Sequence, residues 1–274
     1  MPDDLDDRLL AQAREGNRPA LEQLLERHQA QIYRFGLQMC RDPEDAKDVL
    51  QETLLALARG VRTFRGASSL STWLYTVARS YCLKKRRRRK DAPAEGARTD
   101  LESAAAIEDS ARRPDEALAE RQTREALAHA IAALEPKYRE VLLLRDVEGL
   151  TAPEVATVVG ASVQAVKSRL HRARLSVRER VAPLLGVPPG PAVRAPGCAD
   201  VPALFSRYLE DELNPEICAR MERHLATCAD CRGACDSLKR TLALCRASAP
   251  AVPVPAQVQA SVRVALRQFL SQNP

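Results

Sequence analysis

The stretch Glu148–Leu170 places two helix starts and one helix stop in close succession. Thr151 and Glu154 have the spacing of a capping box, which marks the start of a helix. Gly160 can adopt the left-handed backbone conformation that ends a helix, and Ser162 can cap the next one. Two helices joined by a tight glycine turn form a helix-turn-helix, so the sequence predicts that motif here.

The second of these helices has two chemically distinct faces. Its apolar face consists of Val163, Val166, Leu170 and Val177. Its opposite face consists of Gln164, Ser168 and Arg172, flanked by Lys167, His171 and Arg174. An apolar back and a cationic front suit insertion into a DNA major groove, whereas a solvated surface helix is the alternative. Because the caps and the glycine turn are in register, we favour DNA binding, through Gln164, Lys167, Ser168, Arg169, Arg172 and Arg174.

The rest of the chain also favours helices. Large apolar residues recur at helical spacing between residues 21 and 39, aromatic residues make up only 4%, and no strand-like alternation occurs. We therefore predict an all-α fold. Composition divides the chain into a helical block at 1–90, a flexible linker at 91–114, a second helical block at 115–185, a proline-rich linker at 186–197 and a cysteine-rich domain with a C-terminal helix at 198–274.

Charge and hydropathy restrict the partners. The net charge is +6, and basic residues concentrate at Lys84–Lys90 and around Lys167–Arg174. Two separate basic clusters suggest two contacts with a polyanion. No apolar stretch approaches the ~20 residues that a membrane-spanning helix needs, and the acidic N-terminus is unlike a signal peptide. We therefore expect a cytoplasmic protein without a membrane partner.

The cysteines predict a metal site. Of eight cysteines, six lie in the last third of the chain, and thiols stay reduced in the cytoplasm. His224, Cys228 and Cys231 have H-x3-C-x2-C spacing, and Cys198 supplies a fourth ligand for a tetrahedral Cys3His site of the zinc type. Cys218, Cys235 and Cys245 are candidate additional metal ligands.

The identity and role of the metal stay open at this point. Thiolates bind Zn(II), Cd(II) and Cu(I), and the lack of a Cys-x-Cys pair favours Zn(II) or Cd(II), with Cu(I) as the alternative. The site could be purely structural, could sense metal, or could sense oxidants through Cys228 and Cys231. An enzyme is disfavoured, since four protein ligands leave no open coordination position, and the sequence has no phosphate-binding loop.

Two parts of the chain resemble a known family. The block Asp45–Thr53, followed by Phe64-Arg-Gly and Ser71–Arg79, resembles region 2 of extracytoplasmic-function RNA polymerase sigma factors. The stretch Glu148–Arg174 resembles their region 4, and the two matches occur in the family's order. The resemblance implies two helical sigma domains, at 1–90 and 115–185, that bind core RNA polymerase and promoter DNA, recognise the −10 and −35 elements and initiate transcription.

The resemblance also implies roles for residues of the first domain. Asp45, Asp48 and Glu52 share one helix face, and in the family this acidic face binds the clamp helices of the polymerase. The loop from Phe64 to Ser71 would hold a flipped base of the −10 element, and cations would hold the opening duplex. The implied DNA contacts are Phe64, Ser69, Trp73, Arg79, Lys84, Lys85 and Arg86. Trp73 could instead serve the core, and the end of the basic run could be a non-specific anchor.

The cysteine-rich domain resembles two regulatory groups. Leu209–Leu213 and Met221–Arg232 are similar to the zinc-binding anti-sigma domain, a small helical bundle that masks a sigma factor. A sigma factor with such a tail resembles the CorE-like group, whose activity depends on metal ions. We therefore hypothesise metal sensing in which this domain and the helix at 256–271 pack on the sigma domains in one metal state, so that a separate anti-sigma factor is not required. A regulator that binds DNA without polymerase is the less favoured alternative.

Overall fold

The computed structural model describes residues 4–64, 66–91, 114–185, 198, 200–248 and 253–272. Within these ranges all regular elements are helices and no strand occurs, which confirms the predicted all-α fold. The predicted linkers at 91–114 and 186–197 lie outside the described residues, except for the two ends of the first. None of the described helices is both long and apolar enough to cross a membrane.

Twelve α-helices are described, in this order: α1 Asp4–Arg14, α2 Arg18–Cys40, α3 Pro43–Gly60, α4 Leu70–Asp91, α5 Pro114–Ala132, α6 Pro136–Leu142, α7 Ala152–Val159, α8 Val163–Val181, α9 Val201–Tyr208, α10 Pro215–Thr227, α11 Ala229–Ala247 and α12 Ala256–Gln272. A π turn at Leu143–Val147 continues α6. Short 3-10 turns follow α3 at Val61–Thr63 and α8 at Ala182–Leu185. The chain divides into two compact units, residues 1–104, 157–160 and 252–274, and residues 105–156 and 161–251.

The first unit is a bundle in which α2, α3 and α4 pack together. Asn17 caps α2 by accepting from the amide of Ala20 at 3.1 Å, and Asp42 caps α3 by accepting from the amide of Asp45 at 2.8 Å. Between them, Arg41 turns the chain with a φ of 60°. The largest fully buried apolar side chains of this bundle are Leu24, Leu25, Ile32, Phe35, Leu50, Leu54, Leu57, Leu74 and Tyr75.

Helix α12 belongs to the first unit and packs against α3. Its buried face consists of Val262, Leu266 and Leu270. The guanidinium of Arg59 lies over the ring of Phe269, 5.3 Å from its centroid, and Arg263 lies 3.5 Å from a carboxylate oxygen of Glu26. An apolar stripe and two polar contacts therefore hold the C-terminal helix on the first bundle.

The helix-turn-helix forms as the sequence predicts. Thr151 and Glu154 make a reciprocal capping box, with the Thr151 amide 2.9 Å from the Glu154 carboxylate. Gly160 has a φ of 65°, and Ser162 accepts from the amide of Ala165 at 3.2 Å. On the apolar face of α8, Val166, Leu170 and Val177 are fully buried, whereas Val163 at the first position of the helix is 37% exposed.

The cysteine-rich module, residues 198–248 with α9, α10 and α11, lies in the second unit beside α8. Val201, Cys231 and Cys235 form its core, with Phe205 and Leu225 packed around them. Both α9 and α11 contact α8, and α11 also contacts the π turn at Leu143–Val147. The module is therefore seated on the helix that the sequence assigns to DNA.

We predict that Leu50→Ala lowers the free energy of unfolding of the first unit by about 2–5 kcal/mol, because it removes buried methyl groups and leaves a cavity. Leu50 is fully buried, whereas Leu5 is 37% exposed and makes Leu5→Ala the matched control. The only tryptophan, Trp73, lies in this unit, so its fluorescence during urea denaturation measures the change. Equal effects of the two substitutions would contradict this packing.

Candidate functional site

The structure brings the four predicted metal ligands together. Cys198 precedes α9, His224 lies in the last turn of α10, Cys228 joins α10 to α11, and Cys231 lies in the first turn of α11. One ligand atom from each lies within 4.8 Å of the others. Three helices thus converge on one cluster of an imidazole and three thiols.

The geometry and chemistry of this cluster fit a zinc ion. The sulfur atoms of Cys198 and Cys228 are 4.0 Å apart. Two thiolates about 2.3 Å from a tetrahedral ion are about 3.8 Å from each other, so little adjustment is needed. Nε2 of His224 is buried and has no hydrogen-bond partner among the described residues, as expected for an atom that binds a metal. Three sulfurs and one nitrogen make a closed site of the structural zinc type.

The thiols in the cluster differ in acidity. The backbone amide of Cys231, and next its thiol, lower the pKa of Cys228, which sits at the N-terminal end of α11. Burial raises the pKa of Cys231 to about 12, and the neighbouring sulfurs of Cys228 and Cys198 add to the shift. A bound dication would remove this repulsion between thiolates, because it neutralises their charge.

The three additional cysteines lie apart from this cluster. Cys235 is buried in the core of the module, and Cys245 is fully buried on α11, where burial raises its pKa to about 12. Cys218 is half-buried on α10. None of the three belongs to the group that converges on the cluster, so their role as further ligands stays a prediction.

A buried ion-pair network joins the cysteine-rich module to α8. The side chain of Arg174 is 1% exposed and makes two hydrogen bonds to Asp146, at 2.8 and 2.7 Å. It also donates to the Glu210 carboxylate at 2.6 Å and to the Ser206 carbonyl at 3.1 Å. Burial alone would lower the pKa of Arg174, but Asp146 and Glu210 raise it, so the group is charged at every ordinary pH.

Three further side chains contact Glu210 or its neighbour Glu212. Glu210 is 4% exposed, and its carboxylate accepts from Nε of Arg145 at 3.2 Å. The ammonium of Lys167 donates to the backbone carbonyl of Glu210, and Gln164 donates to the carboxylate of Glu212 at 3.3 Å. Glu210 therefore lies at the centre of the contact between the module and α8.

The predicted DNA contacts of α8 fall into two groups. Gln164, Lys167 and Arg174 bond to the cysteine-rich module, and Arg174 has almost no surface left for a phosphate. Ser168 and Arg172 are exposed and Arg169 is half-buried, with Arg172 3.1 Å from the Tyr138 hydroxyl.

Two residues of the network, Asp146 and Glu210, are not among the functional residues that the sequence pattern predicts. Asp146 interrupts the buried apolar run Val141–Val147, and a carboxylate in such a run indicates a buried cation partner. Glu210 lies in an acidic stretch, Leu209–Leu213, where nothing local distinguishes it from its neighbours. The first residue therefore had a signal in the sequence, and the second had none.

In the first unit, a lysine predicted to bind DNA contacts acidic residues predicted to bind polymerase. Lys85, which the resemblance assigns to DNA, bonds to Asp48 and lies 3.5 Å from Asp45, both assigned to polymerase. Its hydrogen bond to Asp48 raises the pKa of Lys85. Glu52, the third acidic residue, is the hydrogen-bond partner of the Tyr81 hydroxyl, whose pKa is raised by burial and by that carboxylate.

The loop predicted for the −10 element is built around aromatic rings. Phe64 and Trp73 pack edge to face with centroids 6.0 Å apart, and Arg14 lies over Phe64 at 5.6 Å. Ser69 accepts from the amide of Thr72 at 3.2 Å and so caps α4. Of the predicted phosphate contacts, Lys84 and Arg86 are exposed and Arg79 is half-buried.

Comparison with known proteins gives a match in each part of the chain. The Sigma-70 region 2 family matches residues 24–92, the Sigma-70 region 4 family matches residues 124–177, and a zinc-finger family matches residues 198–232. The chain is 33% identical over 181 residues to the ECF RNA polymerase sigma factor SigM of Mycobacterium tuberculosis, covering 66% of this chain and 85% of that protein.

Two further proteins are similar over a comparable span. The RNA polymerase sigma-H factor of Pseudomonas aeruginosa is 29% identical over 185 residues, covering 66% of this chain and 95% of that protein. Among solved structures, the complex of CnrH with the cytosolic domain of CnrY matches with a TM-score of 0.46 and 26% identity, covering 68% of this chain and 100% of that chain.

We predict that Cys228→Ser lowers the zinc content of the purified protein from about one ion per chain to a small fraction, because a closed tetrahedral site loses a ligand. Cys218→Ser is the matched control, since Cys218 lies outside the cluster and should leave the zinc content unchanged. Elemental analysis of both variants gives the result. Zinc loss in Cys218→Ser as well would contradict the assigned ligand set.

Proposed function

Because the chain belongs to the extracytoplasmic-function family of RNA polymerase sigma factors, we propose that it directs core polymerase to −10 and −35 promoter elements under the control of its own metal-binding module. A sigma factor recognises DNA and leaves RNA synthesis to the polymerase, so the chain acts as an initiation factor and not as an enzyme. Its partners are core RNA polymerase and promoter DNA, which also implies that it works in the cytoplasm.

The proposed contacts follow the two sigma domains. In the first unit the acidic face of α3 binds polymerase, and Phe64, Trp73 and the exposed Lys84 and Arg86 bind the opening −10 element. In the second unit α8 enters the major groove at the −35 element. The exposed Ser168 and Arg172 support this orientation of the helix.

The observation that carries the proposed control is the position of Glu210. This one residue of the module bonds to Arg174 and Arg145 through its carboxylate and to Lys167 through its carbonyl. The sequence pattern assigns two of those three cations to DNA, so the module and the promoter compete for the same side chains. Removing one member of a buried ion pair typically lowers stability by about 3–5 kcal/mol. Glu210 therefore contributes strongly to the masked state, in which the module covers α8.

A tethered competitor needs little intrinsic affinity. The module is covalently linked to α8, so its effective concentration is on the order of millimolar. A separate anti-sigma factor is therefore not required to mask α8. Promoter DNA binds only the open form, in which α8 is free of the module, and its apparent affinity falls in proportion to the fraction of molecules that is open.

The metal site is connected to this contact through α9. Cys198 lies two residues before Asp200, which caps α9 by accepting from the amide of Ala203 at 3.2 Å. Ser206, near the other end of α9, and Glu210, two residues beyond it, contact Arg174. A metal bound by the Cys3His cluster would fix the start of α9 and thereby hold its end against α8. We infer that metal loading favours the masked state and that metal loss opens it.

The donor set supports Zn(II) as the resident ion. Three sulfurs and one imidazole suit tetrahedral Zn(II), and Cd(II) prefers the same soft ligands. Cu(I) also binds thiolates but does not require all four groups at once. Exchange of Zn(II) for Cd(II) or Cu(I) is therefore a second form of metal sensing that this donor set allows, beside loss of the ion.

The helix α12 supports a second level of control. It packs on α3, the helix that carries Asp45, Asp48 and Glu52, and it engages Arg59 of that helix through Phe269. We propose that α12 limits the approach of polymerase to α3. The two contacts act on different domains, so each can be released separately.

We predict that Glu210→Gln raises run-off transcription by about tenfold or more, because it removes the charge that competes for Arg174 and Lys167. The assay combines the purified, zinc-loaded protein with core polymerase and a candidate promoter. Glu222→Gln is the matched control, since Glu222 is an exposed residue of the same module. A Glu210→Gln protein with full zinc content and unchanged transcription would remove the proposed competition.

We also predict that chelation of zinc raises transcription by the wild-type protein but has little effect on Glu210→Gln, which is already open. Titration of Zn(II), Cd(II) and Cu(I) into the metal-free protein identifies the effective ion. Transcription that is high and indifferent to every metal would make the module a structural zinc domain.

If no transcription occurs, a pull-down of core polymerase distinguishes two explanations. A protein that binds core polymerase is a sigma factor tested on the wrong promoter, and one that does not is a regulator that binds DNA alone.

A further inference from the structure

Two cysteines of the first unit form a pair that neither the metal site nor promoter recognition uses. Cys40 ends α2, Cys82 lies in α4, and their sulfur atoms are 3.1 Å apart. They are the two of the eight cysteines that lie outside the cysteine-rich module. Forty-two positions separate them in sequence, so their meeting results from the packing of α2 against α4.

The environment of the pair makes the two thiols unequal. Cys82 is 4% exposed, whereas Cys40 at the end of its helix is only half-buried. The hydrogen bond with Cys40, followed by burial, raises the pKa of the Cys82 thiol well above its usual range. A small oxidant from solvent therefore reaches Cys40 first, and Cys82 is the nearest group that can react next.

The distance suits a covalent bond between the two sulfurs. A disulfide holds its sulfurs about 2.05 Å apart, so the pair needs to close by about 1 Å. Both residues sit on long helices of one packed bundle, and small side-chain rotations can supply that movement. The sulfurs at 3.1 Å are closer than those of the metal cluster, where Cys198 and Cys228 are 4.0 Å apart.

We propose that Cys40 and Cys82 form a reversible disulfide when the protein meets a hydroperoxide, which makes the first unit a thiol-oxidation site separate from the metal cluster. The Cys40 thiol loses its proton, the thiolate attacks an oxygen of hydrogen peroxide and becomes a sulfenic acid, the O–O bond breaks, and the departing hydroxide takes up that proton as water. The Cys82 thiol then attacks that sulfur and releases a second water. In sum, two thiols lose two electrons and two protons, and one hydrogen peroxide becomes two waters.

The bond would form next to the acidic face of α3. Lys85, one turn beyond Cys82, bonds to Asp48 and Asp45, and the charge of Asp45 acts on Cys82. A disulfide would tie the end of α2 to α4 and close the chain between residues 40 and 82 into a loop that contains α3. Such a loop restricts the unfolded state, so the oxidised unit should resist denaturation better than the reduced one.

The test uses the zinc-loaded full chain, treated with hydrogen peroxide, alkylated and digested with trypsin. The expected product is a linked pair of peptides, Phe35–Arg41 and Ser80–Lys84, which dithiothreitol separates again. Mass spectrometry detects this pair regardless of any oxidation in the cysteine-rich module. Cys40→Ser and Cys82→Ser should each abolish it and should also abolish the peroxide-induced rise in the urea midpoint followed by Trp73 fluorescence.

Two results would overturn the proposal. In one, Cys40 and Cys82 both stay open to alkylation at a peroxide dose that already releases zinc from the cluster. In the other, Cys40 becomes a sulfinic or sulfonic acid without any linked peptide, which would mean that the sulfurs do not meet. Measuring zinc release in the same sample separates both results from a failure of the oxidant.

Discussion

The guanidinium of Arg174 is the group on which the arrangement of the second unit depends. A buried cation is tolerated only when carboxylates surround it, and here one carboxylate comes from Asp146 and the other from Glu210. Asp146 lies in the π turn that continues α6, and Glu210 lies in the cysteine-rich module. Without the module, Arg174 would keep its two hydrogen bonds to Asp146 but would lose those to Ser206 and Glu210.

In the proposed control, this contact connects the metal cluster to promoter recognition. The cluster fixes the beginning of α9, and Glu210 follows the end of α9. Under the proposed control, a metal that orders the cluster strengthens the contact between the Glu210 carboxylate and the Arg174 guanidinium. The same guanidinium lies on the helix that resembles a promoter reader, so in the proposed control one charged group would serve both the module and DNA.

The sequence predicts those features that depend on neighbouring residues. The capping box at Thr151 and Glu154, the glycine turn at Gly160 and the spacing of His224, Cys228 and Cys231 are all local patterns, and the structure forms each of them. The burial of Arg174 and the pairing of Lys85 with Asp48 depend on residues far away in the chain. A basic side chain on an amphipathic helix fits a phosphate and a carboxylate equally well, so neither the helix pattern that assigned Arg174 nor the resemblance that assigned Lys85 to DNA could reveal these carboxylate partners.

The contact between α12 and α3 also sets an order of events during synthesis. A ribosome completes α3 long before α12, and every described helix of the second unit is made in between. During that interval, the side chains of α3 that later meet Val262, Leu266 and Leu270 have no such cover. The growing chain thus passes through a stage in which α3 has been made and the helix that covers it has not.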